Sequence, residues 1–475
     1  MKSSSSPIIL ENVEILDAGS EGMSIARIND QVIFVPFVVP GDVADLQITA
    51  KKRRYLEGRA VRLRIPSPWR IEPHCVHFGI CGGCRWQNMT YERQLYYKQK
   101  QVYDNLTRIG KIDAPEILPI LPSPVTQYYR NKLDFTFSNH RWFTEPVKPD
   151  DDTSTHYNAL GFHVPRFFDK VVDIRECFHQ KDPSNAIRNE LRSYAEAHQL
   201  PFYDVRKWEG LMRNLIIRDT LSGGLMVILV FHHEDPAIGL MIDHLTKKFP
   251  QITSLFYVIN PKKNDSLNDL EFRHAAGEPY ITEILPPYRD GYPDISYRIG
   301  PASFFQTNSL QAVNLYRTVA GFADLTGVEA VYDLYTGTGT IANYLAPYAQ
   351  HVTGIESVEP AVADAILNSK LNRIQNTTFI AGEAEKILDD RFLAQHGSPD
   401  IIITDPPRNG MHEKVVRTIL QIRPEKVVYV SCNPATQARD LALMSPSYHL
   451  VKCQPVDMFP HTQHVENVAL LHKIK

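Results

Sequence analysis

The sequence has no long apolar run. No stretch of about 18 apolar residues, roughly the length that a bilayer-spanning helix needs, occurs in the 475-residue chain. The first residues, MKSSSSPIILEN, also lack the apolar segment of a secretory signal peptide. These absences argue against a membrane protein, and we expect a cytoplasmic protein that works as a monomer.

Cysteine is scarce, with six residues in the whole chain: Cys75, Cys81, Cys84, Cys177, Cys432 and Cys453. Disulfides are conceivable because the number is even. In a long chain without a secretory signal, however, cysteines more often bind metals or act in catalysis. These cysteines are therefore candidate metal ligands and nucleophiles.

The chain also lacks a strong excess of charge, since its formal net charge is −3. The local distribution is more informative than the total. Residues 51–70 carry eight lysines and arginines against one acid, Glu57, and Tyr55 adds a surface on which a base could stack. This run fits either an RNA-binding surface or a solvated pair of strands.

The length predicts two or three domains. Residues 1–65 contain short strands separated by turns, a pattern that indicates a small β-barrel. Residues 66–295 mix strands with helices predicted at 91–109 and 183–198, and the polar stretch 145–157 is predicted to be a surface loop. This pattern indicates an α+β domain.

Residues 296–475 alternate between strand and helix, which predicts an α/β fold with a doubly wound sheet and an antiparallel last strand. The helix at 91–109 is a candidate to pack on this domain despite its distance along the chain. The first strand of the domain leads into DLYTGTGTIA, residues 333–342. Gly337 and Gly339 would let the backbone turn tightly beside a ligand.

An acid follows this loop at the spacing expected for a ribose-bearing cofactor. Glu356 lies 19 residues after Gly337, at the end of the second strand, where a carboxylate can accept hydrogen bonds from two ribose hydroxyls. The loop alone fits S-adenosylmethionine and a nicotinamide dinucleotide equally well. The choice between them depends on residues further along the chain.

Two motifs, DPPRNG (405–410) and SCNPAT (431–436), lie at the carboxyl ends of later strands. A third, DMFPHTQHVE (457–466), precedes the final strand and places Glu466 beside the same edge. Beside a methyl donor, a thiolate could add to carbon 6 of uracil, and a base could later remove the carbon 5 proton. Cys432 would be the nucleophile and Glu466 the base, and we expect the pocket to lower the pKa of the thiol. The alternatives are a buried structural cysteine and a solvated carboxylate.

The three motifs resemble the RNA uracil-5 methyltransferase family, which acts on ribosomal and transfer RNA. The DPPR segment is also similar to the D/N-P-P-Y motif of amino-group methyltransferases, but those enzymes need no nucleophilic cysteine. The resemblance implies a Rossmann-like methyltransferase domain with Cys432 as nucleophile and Glu466 as base. It further implies that S-adenosyl-L-methionine is bound by Gln306 in FFQTN (304–308), Tyr335, Gly337, Gly339, Thr340, Glu356, Glu383 and Asp405. Thr340 and Glu383 differ from the residues usual in the family, although both could hydrogen-bond the cofactor.

The remaining cysteines form the pattern Cys75-x5-Cys81-x2-Cys84, with Cys177 placed 93 residues later. Four thiolates can bind zinc or an iron–sulfur cluster, and the spacing alone slightly favours zinc. The resemblance instead implies a four-iron four-sulfur (4Fe-4S) cluster and an amino-terminal RNA-binding barrel of the TRAM type. It also implies RNA contacts by Arg130 and Lys132.

Barrel and cluster together are typical of the ribosomal-RNA branch, so the expected partner is 23S ribosomal RNA, with transfer RNA as the alternative. Two rivals come from other classes. One is an RNA-binding protein without activity, which does not need Cys432. The other is an iron–sulfur redox enzyme with a nicotinamide cofactor, which does not need the pair Cys432 and Glu466. Calorimetry of cofactor binding would separate the redox enzyme from the methyltransferase.

Overall fold

The computed structural model of the protein describes residues 8–144 and 157–474. Except for Tyr157, the predicted surface loop at 145–157 lies outside these ranges. Within them, a barrel, a mixed sheet and a doubly wound sheet follow one another along the chain. None of the helices in the described ranges is long and apolar enough to cross a membrane.

The amino-terminal strands form a closed barrel, which confirms the barrel prediction. In the order β1-β2-β3-β5-β4, its strands are β1 (Ile9–Ala18), β2 (Ser24–Ile28), β3 (Gln31–Val35), β5 (Tyr55–Ile65) and β4 (Val43–Lys51). Alternation along the strands places Val13, Ile15, Ile33 and Leu46 inside. The basic side chains at 59, 62 and 64 are exposed.

Helix α1 (Tyr91–Arg108) follows the barrel in sequence but packs against the carboxy-terminal domain. Val102 and Leu106, four residues apart on one face, are fully buried. They share an apolar core with residues of the carboxy-terminal sheet, including Tyr332, Tyr429 and Leu441. α1 is therefore part of the core of that domain.

A seven-stranded sheet forms the centre of the molecule, in the order β12-β11-β10-β9-β6-β7-β8. Its strands are β6 (Lys132–Ser138), β7 (Ala159–His163), β8 (Val171–Asp173), β9 (Met212–Asp219), β10 (Leu225–Phe231), β11 (Ser254–Ile259) and β12 (Arg273–Gly277), and its helices are α2 (Ser184–Ala197) and α3 (Ala237–Lys248). β10 is apolar throughout, so both of its faces need cover. Val227 and Leu229 face the core with α2 and α3, whereas Met226 and Ile228 face the core shared with the carboxy-terminal domain.

A hairpin and a helix connect this sheet to the last one. β13 (Ile281–Leu285) and β14 (Ile295–Ile299) pair antiparallel and precede α4 (Ser309–Ala323). Apolar side chains of all three elements belong to the core of the carboxy-terminal domain. The predicted boundary between residues 295 and 296 falls at the start of β14.

The last sheet has the order β17-β16-β15-β18-β19-β21-β20. Its strands are β15 (Ala330–Leu334), β16 (His351–Glu356), β17 (Thr377–Ala381), β18 (Ile401–Thr404), β19 (Lys426–Ser431), β20 (Tyr448–Val456) and β21 (Glu466–Lys473). β21 is antiparallel to both neighbours, and the pairs from β17 to β19 are parallel. This confirms the predicted doubly wound α/β fold and brings the carboxyl ends of five strands, β15 to β19, to one edge.

The helices between these strands are short or of medium length. They are α5 (Thr340–Leu345), α6 (Glu359–Leu371), α7 (Ala384–Ile387), α8 (Asp390–His396), α9 (Glu413–Ile422) and α10 (Pro434–Met444). α5 starts directly after the glycine-rich loop and α10 directly after the SCN segment. Both helices therefore begin at the edge where ligands bind in open α/β sheets.

Candidate active site

The glycine-rich loop follows β15, and three of its residues have the left-handed backbone conformation. Tyr335, Gly337 and Gly339 have φ angles of 63°, 57° and 72°. A Cβ atom at Gly339 would lie 2.8 Å from the Cβ of Ala365, so a side chain has no room there. A Cβ atom at Gly337 would meet nothing within 4 Å, so the backbone at this glycine borders open space.

Glu356 is fixed against this loop by hydrogen bonds. One carboxylate oxygen accepts from the backbone N of Gly337 at 3.1 Å, and the other accepts from the backbone N of Val358 at 2.9 Å. Glu383 lies in the neighbouring turn, because the backbone N of Gly382 donates to the carbonyl of Glu356 at 2.8 Å. Glu383 is exposed, and its ion pair with Lys386 lowers the pKa of its carboxyl group.

Asp333 braces the same loop, a role that the sequence reading did not assign. Its Oδ2 accepts from the hydroxyl of Thr336 at 2.5 Å and from the backbone N of Ala342 at 3.1 Å. The carboxylate thus ties the end of β15 to the first turn of α5. Burial raises the pKa of Asp333 to about 7. An acid at the end of a strand, directly before a glycine-rich loop, was the signal available in the sequence.

The segment around Gln306 lies beside the glycine-rich loop. The hydroxyl of Thr338 donates to the carbonyl of Phe304 at 3.2 Å. The side-chain amide of Asn131 donates to the carbonyl of Gln306 at 2.9 Å, and this residue belongs to the central part of the chain. Thr340 is half-buried at the start of α5. The structure therefore gathers the predicted cofactor residues at one edge, with Glu383 at its exposed margin.

Cys432 lies in the tight turn between β19 and α10. Asn433 caps α10 by accepting from the backbone N of Ala435 at 3.1 Å, and Pro434 occupies the first helical position, where its missing N–H costs nothing. The side-chain amide of Asn433 also donates to the carbonyl of Arg408 at 3.0 Å. The SCNPAT turn is thereby attached to the DPPRNG loop.

Two carboxylates lie near the thiol of Cys432. Glu466 is 4% exposed at the start of β21, and Asp405 directly follows β18. Burial and the charge of Asp405 raise the pKa of Glu466 to about 8. Burial and the charge of Asp333 raise the pKa of Asp405 to about 7. The site therefore concentrates buried acids, a pattern typical of catalytic centres.

The expectation that the pocket lowers the pKa of Cys432 is wrong. Burial, followed by the charges of Glu466 and Asp405, raises the pKa of the thiol to about 11. Arg408 acts in the opposite direction. One guanidinium is outweighed by desolvation and two carboxylates, so ionisation of the thiol is costly in this pocket.

Residues 457–465 form the loop that leads into Glu466, and side chains of α1 hold this loop in place. Asp457 accepts from the hydroxyl of Tyr91 at 2.8 Å and from the ammonium group of Lys98 at 2.5 Å. The side-chain oxygen of Gln94 accepts from the backbone N of His461 at 2.8 Å. These contacts were not predicted, although polar side chains three and four residues apart on α1 were a visible signal.

The four clustered cysteines, Cys75, Cys81, Cys84 and Cys177, line one cavity together with His179 and His461. The sulfur of Cys84 lies 3.0 Å from Nε2 of His179 and accepts from the side-chain amide of Gln87 at 3.2 Å. In the described part of the chain, no three His, Cys, Asp or Glu side chains are arranged to bind a single metal ion. His461 lines this cavity and precedes Glu466 in the same loop.

The doubly wound sheet and the glycine-rich loop at its edge define a nucleotide-cofactor-binding α/β domain, and comparisons with known proteins specify it further. Residues 277–474 match the family model of tRNA (uracil-5-)-methyltransferases, and residues 11–61 match that of the TRAM domain. An uncharacterized RNA methyltransferase of Bacteroides thetaiotaomicron is 52% identical over 95% of this chain and 99% of its own length. One from Porphyromonas gingivalis is 51% identical over 97% and 99%.

A solved structure is similar over almost the whole chain. The tRNA (uracil-54, C5)-methyltransferase of Pyrococcus abyssi, in complex with S-adenosyl-L-homocysteine, is 28% identical and has a TM-score of 0.73. The match covers 97% of this chain and 100% of that protein. This protein belongs to the S-adenosylmethionine-dependent RNA uracil-5 methyltransferase family.

Proposed function

We propose that this enzyme methylates carbon 5 of a uridine through a covalent adduct between Cys432 and carbon 6 of the base. The observation that carries the proposal is the pocket itself. The thiol of Cys432 lies within electrostatic reach of Glu466 and Asp405, at the sheet edge that also carries the glycine-rich loop. This arrangement supports Cys432 as nucleophile and Glu466 as base beside the proposed cofactor site.

The Cys432 thiolate attacks carbon 6, and the electron pair of the 5,6 double bond makes carbon 5 nucleophilic. Bound S-adenosylmethionine would supply an electrophilic methyl group, and as carbon 5 bonds to it the methyl–sulfur bond would break, so that S-adenosylhomocysteine leaves with that electron pair. Glu466 then takes the proton from carbon 5, the double bond re-forms and the thiolate leaves. A carboxyl group with a pKa of about 8 is well matched to this general-base role near neutral pH.

The cofactor is proposed to lie along the edge between β15, β16 and β18. Glu356, whose carboxylate is already oriented by the loop, would bind the ribose. Asp405 would contact the cofactor or the uracil edge. The remaining proposed cofactor contacts are Gln306, Tyr335, Gly337, Gly339, Thr340 and, at the margin, Glu383.

The proposed substrate is 23S ribosomal RNA, because the spacing of the four clustered cysteines resembles that of the ribosomal-RNA branch of the family. Transfer RNA is the second candidate. It is favoured by the similarity to the Pyrococcus abyssi enzyme, whose match covers 97% of this chain, so an amino-terminal barrel does not separate the two substrates. The deciding experiment maps 5-methyluridine in ribosomal and transfer RNA from cells with and without this protein. Loss from neither RNA would contradict the proposed function.

We also propose that Cys75, Cys81, Cys84 and Cys177 bind a 4Fe-4S cluster. Four thiols around one cavity fit a cluster several atoms across, and the described residues offer no arrangement for a single ion. The cluster would supply a covalent cross-link between residues 75–84 and the segment around Cys177. No step of the methyl transfer requires it.

A further inference from the structure

Phe168 is a large apolar residue whose side chain is exposed to solvent, on a loop that a hydrogen bond and an ion pair stabilise. It is 70% exposed and lies between β7 and β8. The backbone N of Val164 donates to the carbonyl of Lys170 at 2.9 Å, which closes the loop 164–170. Asp169 is buried and forms an ion pair of 2.5 Å with Arg206. The loop thus presents Phe168 in a fixed position.

An ion pair between Arg166 and Glu57 connects this loop to the barrel. Arg166 and Lys52 both contact the carboxylate of Glu57, at 3.2 Å and 3.9 Å. The turn between β4 and β5 therefore lies beside the loop. We call the combined area the junction surface, and its charged members are Lys52, Arg53, Arg54, Glu57, Arg166, Asp169, Lys170 and Arg206. Six cations face two paired carboxylates, in a protein whose net charge is −3.

The junction surface also lies next to elements that reach the active site. A Cβ atom at Gly82 would lie 3.4 Å from the carbonyl of His163 and 3.5 Å from Pro165, so the 164–170 loop packs on the cysteine segment. In that segment, the backbone N of Arg85 donates to the carbonyl of His461 at 2.9 Å. His461 belongs to the loop that leads into Glu466.

We propose that the junction surface binds a single-stranded segment of the substrate RNA, with Phe168 stacked on an unpaired base and Arg166 and Lys52 on phosphates. An exposed ring among cations is the arrangement with which proteins bind single-stranded nucleic acid. Charge complementarity selects RNA over an apolar partner, because an anionic chain complements the excess of cations on the loop and on the adjacent turn of the barrel. This inference rests on the proposed function for its ligand, an RNA substrate.

The binding test uses the full-length protein and a fluorescein-labelled single-stranded RNA of mixed sequence. Phe168→Ala should weaken binding by about 5- to 150-fold, the range for loss of one stacked base, and Phe168→Trp should restore it. Leu240→Ala removes another side chain that is 63% exposed and should leave the affinity unchanged. The same RNA as a duplex should be insensitive to Phe168→Ala. Equal affinity of wild type and Phe168→Ala for the single strand would overturn the proposal.

A second readout separates this inference from the proposed function. Photo-crosslinking of RNA that contains 4-thiouridine should label the peptide carrying residues 164–170 in wild type, and absence of that label would also count against the site. In methylation assays, Phe168→Ala should raise KM for RNA and leave kcat and cofactor affinity unchanged. If no uridine is methylated by any variant but binding still depends on Phe168, the proposed function fails and the junction surface stands.

Discussion

The ammonium group of Lys98 lies 2.5 Å from the carboxylate of Asp457, and neither side chain is exposed to solvent. Lys98 also donates to the carbonyl of Phe459 at 2.9 Å. A helix that precedes the catalytic sheet in the chain thus fixes the loop that ends at Glu466. Because both charges are buried, each depends on the other for compensation.

Removing one partner of this ion pair should therefore be costly. Lys98→Met leaves Asp457 buried without its cation and is expected to lower the free energy of unfolding by about 3–5 kcal/mol. Urea unfolding followed by circular dichroism measures this. Lys248→Met is the matched control, because Lys248 forms an ion pair with Glu190 but is half exposed. This substitution should lower the free energy of unfolding by less than about 1 kcal/mol. Similar losses in the two variants would show that burial of the pair is unimportant.

Substitutions of Cys432 and Glu466 should block the reaction at different steps. Cys432→Ala should abolish methylation and any covalent link to RNA. Glu466→Gln should allow attack and methyl transfer but leave the methylated adduct stranded, because it cannot accept the carbon 5 proton. Denaturing gels of each variant with labelled RNA and cofactor should show a slow protein–RNA band only for Glu466→Gln. Normal turnover by Glu466→Gln would identify another base, with His461 and His464 as the next candidates.

Adduct formation should accelerate with rising pH. The pKa of Cys432 is raised to about 11, so the attacking thiolate is a small fraction near neutrality and grows about tenfold per pH unit. Part of that rise comes from the charge of Glu466, whose own pKa is raised to about 8. Glu466→Gln removes that charge, so its adduct should form at lower pH than in wild type. Rapid-quench measurements across the pH range test this, and superimposable profiles would contradict it.

Glu356 and Glu383 should contribute unequally to cofactor affinity. Glu356→Ala removes a carboxylate that the loop already orients, and we expect it to weaken S-adenosylmethionine binding by about 1–3 kcal/mol. Glu383→Ala should have a smaller effect, because that carboxylate is exposed and paired with Lys386. Titration calorimetry gives both values, and wild type should not bind nicotinamide dinucleotides. An undiminished affinity of Glu356→Ala would remove the ribose assignment.

Protein purified without oxygen should contain iron and sulfide. Cys177→Ala should lose the iron and lower the soluble yield, because metal binding is coupled to folding. Cys453→Ala is the control, since Cys453 is buried in β20 away from the cysteine cavity. Elemental analysis that finds one zinc and no iron would refute the cluster.

The carboxy-terminal fold could be read from the sequence because its signals are local. Alternating strands and helices, and the glycines at 337 and 339, predict a doubly wound sheet with a loop at its edge, and β15 to β21 confirm the sheet. The three motifs around Asp405, Cys432 and Glu466 were recognisable for the same reason. Each follows or begins a strand, and strand ends of this kind meet at one edge whatever the rest of the chain does.

The tertiary structure alone decided the features that depend on contacts between distant segments of the chain. The pKa of Cys432 rises because the turn is buried beside two acids, a relation that no spacing in the sequence expresses. Lys98 and Asp457 are 359 residues apart along the chain, and they form an ion pair only because α1 packs on the catalytic sheet. Arg166 and Lys52 likewise become neighbours because both contact the carboxylate of Glu57. Sequence patterns fix local conformation, whereas desolvation and charge pairing arise from contacts between segments that are remote in the chain.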